Sequence, residues 1–466
     1  MTATRTVPAR RALRLAVPAA LGALVLTAVP ASATSTPAQI ATSKSTGVSY
    51  LRSLQAADGS YAGSGLSNEW AFSAFAAAGT AAVDVTPGGD ATKNARTVYR
   101  NLLTGSAWPG GSPVVTDYER GAINAYSAGV DPARVSASRN LIADIYGYYQ
   151  SAEPGYWGAS ANFNGTVFGL IALAGAKTQG GAQRVPQALL ATSVATVRAN
   201  QHDDGGWNYS KAEGDPAKLA AASDIDMTGA AMASLCTAGV PNTDLAVTKA
   251  KAFLKSKLIN TSGAFDAMFG VNTDSNGWAV SGLNACGINP QTGDFLTKAG
   301  KTPVDFLIAQ QFKPGGGFKY LPSDTSPSAY ASIDGLRAVA GGGFIAAPPA
   351  PTTAGAPQWA ATTAFTPGTA TRLALTVDNG TTLKVCAVTF TPTAATTTLG
   401  TVLDAATGCV TSVNPASGSG TITAVNGTAN SGGSTWKSSV DGAGAIAASR
   451  GTVINAGDTI ALKYGS

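Results

Sequence analysis

The pair of residues with the clearest chemistry is Asp224 and Asp226, two carboxyls two positions apart in SDIDMTGAAM (223–232). Acids so placed can do three things. They can cap a helix, because free N–H groups and the positive end of the dipole sit at its start. They can meet a polar ligand. Or one of them can donate a proton, provided neighbours hold that proton and offset the anion left behind. Similar polar starts recur along the chain as Asn68-Glu69, Asp117-x-Glu119, Asn162-x-Asn164 and Asp274-x-Asn276. A recurring motif favours capping for Asp224 and Asp226, and capping is compatible with ligand contact if these starts ring one opening.

Other reactive residues are few. His202 is the sole histidine, and charged residues make up 12% of the chain. A lone histidine beside a turn reads as a surface residue rather than a ligand. The four cysteines include no Cys-x-x-Cys pair, so no metal site is expected. Pairing within each region, Cys236 with Cys286 and Cys386 with Cys409, is the simplest of three connectivities.

The elements that position these residues follow a repeat. Apolar helical runs, Gly-rich aromatic turns and Ala-rich helices succeed one another between residues 42 and 344, and the helices end at Gly79, Gly129, Gly175, Gly239, Gly287 and Gly341. Turns such as Asp204-Gly205-Gly206-Trp207 and Gly315-Gly316-Gly317-Phe318 reverse the chain on glycine and supply an aromatic to fill the gap between units. Six such helix pairs predict an α6/α6 barrel, with an open superhelix as the competing architecture. The fourth unit is longest; its extra stretch, 208–223, is either a plain insertion or a ligand flap.

Residues 345–370 are rich in Pro, Ala and Thr and predict a semi-extended, flexible linker. Beyond it, 371–466 alternates apolar and polar residues with Asn-Gly punctuation, which predicts a small, mostly β domain. The expected fold class is therefore multidomain, α then β.

Residues 1–33 have the form of a signal peptide cleaved after Ala33: four arginines, then an apolar run, then Ala31-Ser32-Ala33. Four of the chain's net +5 charges belong to that segment, leaving +1, so nucleic-acid binding loses its electrostatic basis. An extracellular protein without stable membrane insertion is expected.

Two family resemblances rest on these residues. The repeats, with QHDDGGW (201–207) and the weaker QQFKPGGGF (310–318), resemble the α/α-toroid superfamily of terpene cyclases, prenyltransferase β-subunits and vitamin B12 carriers. The segments TVLDAATG (401–408), TITAVNG (421–427), STWKSSVDG (434–442) and AGDTIALKY (456–464) resemble the C-terminal domain of intrinsic factor and transcobalamin-type carriers. The carrier resemblance implies a corrinoid, cobalamin, gripped between barrel mouth and β-domain. Glu69, Glu119, Asp224, Asp226 and Asn276 would then serve from the mouth, and Thr423, Trp436 and Ser438 from the opposite face.

The cyclase resemblance implies instead that Asp226 is a proton donor, although Met227 stands where that signature has a further acid. Aromatics at 7% of the chain are also thin for a cavity that must stabilise carbocations. The function expected is thus secreted, non-catalytic binding of a small molecule. The alternatives are a cyclase-like or glycan-acting enzyme using Asp226, and a cell-surface or adhesion module.

Overall fold

The structure, a computed structural model, describes residues 34–61 and 65–466. The expected signal peptide at 1–33 lies outside them. The helices in chain order are α1 (Pro37–Ser53), α2 (Gly65–Ala77), α3 (Ala95–Thr104), α4 (Val115–Ala128), α5 (Leu141–Tyr146), α6 (Phe163–Gly175) and α7 (Gln187–Ala199). They continue with α8 (Pro216–Leu219), α9 (Ile225–Thr237), α10 (Leu245–Ser256), α11 (Thr273–Ala285), α12 (Pro303–Ala309) and α13 (Ala329–Val339). Helices α2, α4, α6, α9, α11 and α13 each pack on the next, and α13 packs back on α2, so the ring closes. Helices α1, α3, α5, α7, α10 and α12 form the outer layer, and the short α8 belongs to the long fourth unit. This is an α6/α6 barrel; the superhelix is excluded.

Small residues make the ring possible. A Cβ on Gly229 of α9 would lie 2.4 Å from the Trp278 carbonyl, and one on Gly282 of α11 would lie 2.3 Å from the Gly229 carbonyl. These two helices therefore touch backbone to backbone. The Cys236–Cys286 disulfide fastens the far ends of the same pair.

Four of the six turns are hooked to the inner helix that follows them. The backbone N–H of Trp157, Trp207, Phe265 and Phe318 donates to Thr166, Thr228, Asn276 and Ser332 respectively, always the fourth residue of that helix. All four rings are fully buried between units. The repeat in sequence is thus one hydrogen-bonded unit over the last four of the six helix pairs.

The Pro/Ala/Thr-rich segment differs from the flexible linker expected of its composition. It has no regular secondary structure, yet it is tied down along its length. Leaving α13, it buries Phe344 on the barrel axis and seats Ile345 against Gly175 at the end of α6. Asp84 then accepts from the backbone of Thr352 and Thr353, Arg96 donates to the Pro357 carbonyl, and Ala360 exchanges backbone bonds with Gly129 and Asp131. Composition could not reveal these partners, because all of them come from the barrel. The segment is a strap that closes the pole where the inner helices end.

The C-terminal domain comprises β1 (Thr371–Asp378), β2 (Leu383–Phe390), β3 (Thr397–Thr398), helix α14 (Leu399–Ala405), β4 (Val413–Asn414), β5 (Ala424–Val425) and β6 (Thr428–Ala429). It ends with β7 (Thr435–Val440), β8 (Ile446–Ala447), β9 (Val453–Ile454) and β10 (Thr459–Gly465). Its main sheet has the order β2-β1-β10-β7-β8, with β1 parallel to β10 and the other neighbours antiparallel. The Cys386–Cys409 disulfide ties β2 to the segment after α14.

Alternation along these strands decides what faces the barrel. Leu373, Leu375, Val377, Trp436 and Leu462 point into the domain's own core. Ala374, Leu383, Val385 and Ala387 lie on the opposite side and pack with α5. Buried charges reinforce this seat: Arg184 and Arg134 from the loops after α6 and α4 together hold Asp131, Asp441 and Asp458. The β-domain is therefore docked on the flank of the barrel, against loops at the strapped pole. This corrects the expectation of a β-domain facing the polar mouth, and the alternation that turns Trp436 inward is the physical reason.

Candidate functional site

The inner helices all start at the unstrapped pole, and two of their positions look onto the axis. The second residues of α4, α6, α9, α11 and α13 are Thr116, Asn164, Asp226, Asp274 and Tyr330. One turn deeper stand Trp70 of α2, Arg120, Phe168, Trp278 and Asp334. With Ile333, Arg337 and Phe344 these residues enclose a cavity of about 380 Å³.

The floor is aromatic. The Phe344 ring of the strap meets Trp70, Phe168 and Trp278 at centroid separations of 6.3, 5.8 and 5.1 Å, in each case edge to face. Arg337 lies over Phe344 and Trp70, at 4.7 and 5.8 Å from their centroids.

Charge in the cavity is unevenly matched. Arg337 pairs with Asp334 at 2.6 Å, and Trp278 Nε1 donates to the same carboxyl at 3.0 Å. Arg120 is shared between Glu69 at 3.3 Å and Asp117 at 2.9 Å. Asp226 and Asp274 make no ion pair among the described residues, although the charge of Arg337 acts on Asp274; one oxygen of each, Oδ1, is buried without a hydrogen-bond partner. Burial, and then the negative charge of Asp224, raises Asp226 to about 7 despite a hydrogen bond with Ser275. Burial, then Asp334 and Asp226, raises Asp274 to about 8 against the opposing pull of Arg337. The site thus holds two carboxyls short of positive charge, above an electron-rich aromatic floor.

Of the residues expected to meet a ligand, Asp226 reaches this cavity, and Asn164 and Asp274 join it from the recurring polar helix starts. Its neighbour Asp224 caps α9 by accepting from the Met227 N–H at 2.9 Å. Capping and cavity contact, open for both acids, are therefore divided between them. Asn276 is committed to the turn before it, accepting from the Phe265 N–H at 2.6 Å and donating to the Asn272 carbonyl at 2.8 Å. Glu69 sits in the barrel wall, receiving Tyr99 Oη and Trp108 Nε1 as well as Arg120. Glu119 is fully buried against Gly169, with neither oxygen hydrogen-bonded, and burial pushes its carboxyl well above the usual range.

The three β-domain residues do not meet the mouth. Trp436 is core, donating to the Thr428 carbonyl at 2.8 Å, Ser438 is buried beside it, and Thr423 is exposed and bonded to Asn414. His202 is buried rather than exposed, with Nδ1 against the Ala221 carbonyl at 2.9 Å. Residues 208–223 are anchored through Asn200, which accepts from Ala212 and Glu213 N–H. No group of three or more metal-ligating side chains occurs among the described residues, and no described helix is long and apolar enough to cross a membrane.

Sequence reasoning missed Asp274 as a cavity group, along with Asp334, Arg337 and the four floor aromatics. Aligning the six inner helices on their starts would have exposed most of them, since the same two positions of each helix face the axis. Phe344 had no such signal.

The chain matches no family model and no curated protein by sequence. By structure it is similar to the apo form of the type II terpene cyclase MstE from Scytonema, with 12% identity and a TM-score of 0.46 over 65% of this chain and 97% of the other. It is also similar to haptocorrin in complex with Cbi, with 11% identity and a TM-score of 0.35 over 91% and 97% of the two chains. The ent-copalyl diphosphate synthase from Streptomyces platensis gives 17% identity and a TM-score of 0.41 over 59% of this chain and 49% of that one. Nothing about activity follows from likenesses this distant.

Proposed function

We propose that the protein is an exported binding protein whose barrel mouth takes an organic cation with an apolar body. The observation that carries this reading is the pair Asp226 and Asp274, whose Oδ1 atoms are buried and unpartnered beside Trp70, Phe168, Trp278 and Phe344. A buried carboxyl without a partner costs free energy, which an ammonium or similar cation offsets on binding. Aromatic faces attract the same charge, and a cavity of about 380 Å³ suits a small molecule. A corrinoid clasped by both domains lacks this support, because Thr423, Trp436 and Ser438 do not look toward the mouth.

A second reading, proton donation by Asp226 to an unsaturated substrate, draws on its raised affinity for a proton and on the same aromatic floor. It is weaker, since among the described residues nothing positive stands beside Asp226 to hold the anion after transfer.

Titration with benzyltrimethylammonium, followed by tryptophan fluorescence from Trp70 and Trp278, tests the proposal. Saturable binding is expected, with the uncharged isostere neopentylbenzene bound at least tenfold more weakly. Equal binding of both compounds would refute the cation requirement, and turnover of a polyisoprenoid lost in Asp226→Asn would favour the second reading.

A further inference from the structure

A second cavity, of about 330 Å³, lies on the flank between barrel residues 183–188 and the barrel-facing side of the main sheet. Lys437 of β7 and Lys463 of β10 stand directly opposite each other across the strand pair, and both line this cleft. Like charges so placed repel. Among the described residues neither lysine has an ion-pair partner; Asp378, beside Lys463 in register, also lines the cleft, with one oxygen accepting from the Gly380 N–H at 2.8 Å.

Two further features add positive potential at the same place. Helix α7 opens onto the cleft at Gln187 and Ala188, and its cap residue, Pro186, offers no side-chain acceptor for the first amides. Arg184 also lines the cleft. Its side chain is wholly buried, its terminal nitrogens hold Asp131 and Asp441, and its Nε has no partner. The lysine pair, the amides of Gln187 and Ala188 ahead of those that bond the Pro186 carbonyl, and the buried, unmet Nε–H of Arg184 are the kinds of donor an oxyanion needs, since charge-assisted bonds to one group reinforce each other.

We infer that this cleft binds a phosphate-type oxyanion, free or as the headgroup of a small molecule, with Lys437 and Lys463 as its principal contacts. A ligand there touches both domains, so it also clamps the β-domain to its seat. The site is separate from the barrel mouth and does not depend on the function proposed for it.

The test uses the whole mature chain, titrated calorimetrically with inorganic phosphate and with phenyl phosphate. Saturable one-to-one binding of either is expected, weakened at least tenfold in Lys437→Gln/Lys463→Gln and unchanged in Lys249→Gln, an exposed lysine of α10 that does not line the cleft, and in Asp226→Asn/Asp274→Asn. Tighter binding of phenyl phosphate marks a headgroup site; equal or tighter binding of the inorganic ion marks a site for the free anion. The double lysine variant should melt no lower than the parent in phosphate-free buffer, because the repulsion is removed. Absence of saturable binding to the parent, or equal affinity in parent and lysine variant, overturns the inference.

Discussion

Asp226→Asn should stabilise the protein while abolishing cation binding, and the size of the effect can be worked from one carboxyl. The folded state holds Asp226 at about 7 against an ordinary 3.8. A carboxyl raised on folding contributes stability that is intact below its unfolded value and is lost as pH rises toward its folded one. At 1.36 kcal/mol per pH unit, the full loss above neutrality is roughly 4 kcal/mol. Asparagine never ionises and escapes that loss. With about 2.1 cal/mol/K per residue over roughly 300 barrel residues, 4 kcal/mol corresponds to a melting temperature about 6 °C higher. Scanning calorimetry of parent and variant at pH 8 and pH 4 gives the assay. The gain should be largest at pH 8 and nearly absent at pH 4. A variant that melts at or below the parent at pH 8, or with the same difference at both values, would refute the reasoning that Asp226 is an uncompensated buried acid.

Other perturbations follow from the same packing. Benzyltrimethylammonium affinity should rise from pH 6 to pH 9, by about tenfold where Asp226 must first lose its proton and by nearly a hundredfold where Asp274 must, as read from fluorescence titrations at each pH. Arg184→Met leaves Asp131 and Asp441 to Arg134 alone, so it should cost about 3 kcal/mol and loosen the β-domain, seen as a separate calorimetric transition and faster proteolysis of the strap. Phe344→Ala removes the plug from the barrel floor and should cost about 3–5 kcal/mol and weaken cation binding, measured by denaturation and titration. Replacing Cys236 and Cys286 by alanine opens a loop of 50 residues and should cost roughly 4 kcal/mol by chain entropy, measured in guanidinium melts.

The barrel was legible because its information is local and repeated: turn glycines, turn aromatics and small-residue helices recur in each unit, and both disulfides fell within their own regions. What the sequence withheld was relative placement. Trp436 carries the same ring whether its strand faces a ligand or a core, and only the pairing of β7 with β10 turns it inward. The strap looked like a linker because its partners, Asp84, Arg96 and Gly129, are remote in sequence. Aromatic content across the whole chain said nothing of Trp70, Phe168, Trp278 and Phe344 gathering on one floor. Asp226 was visible through its motif, whereas Asp274 passed for one more helix cap.

The central claim is that Asp226 and Asp274 lack a positive partner that a ligand supplies. Carbon-13 NMR titration of the aspartate carboxyls, assigned with Asp226→Asn and Asp274→Asn, tests it most directly. The account predicts two groups titrating near 7 and 8, both moving to lower pH when benzyltrimethylammonium saturates the cavity. Two carboxyls titrating near 4, or values that ignore the bound cation, would contradict it.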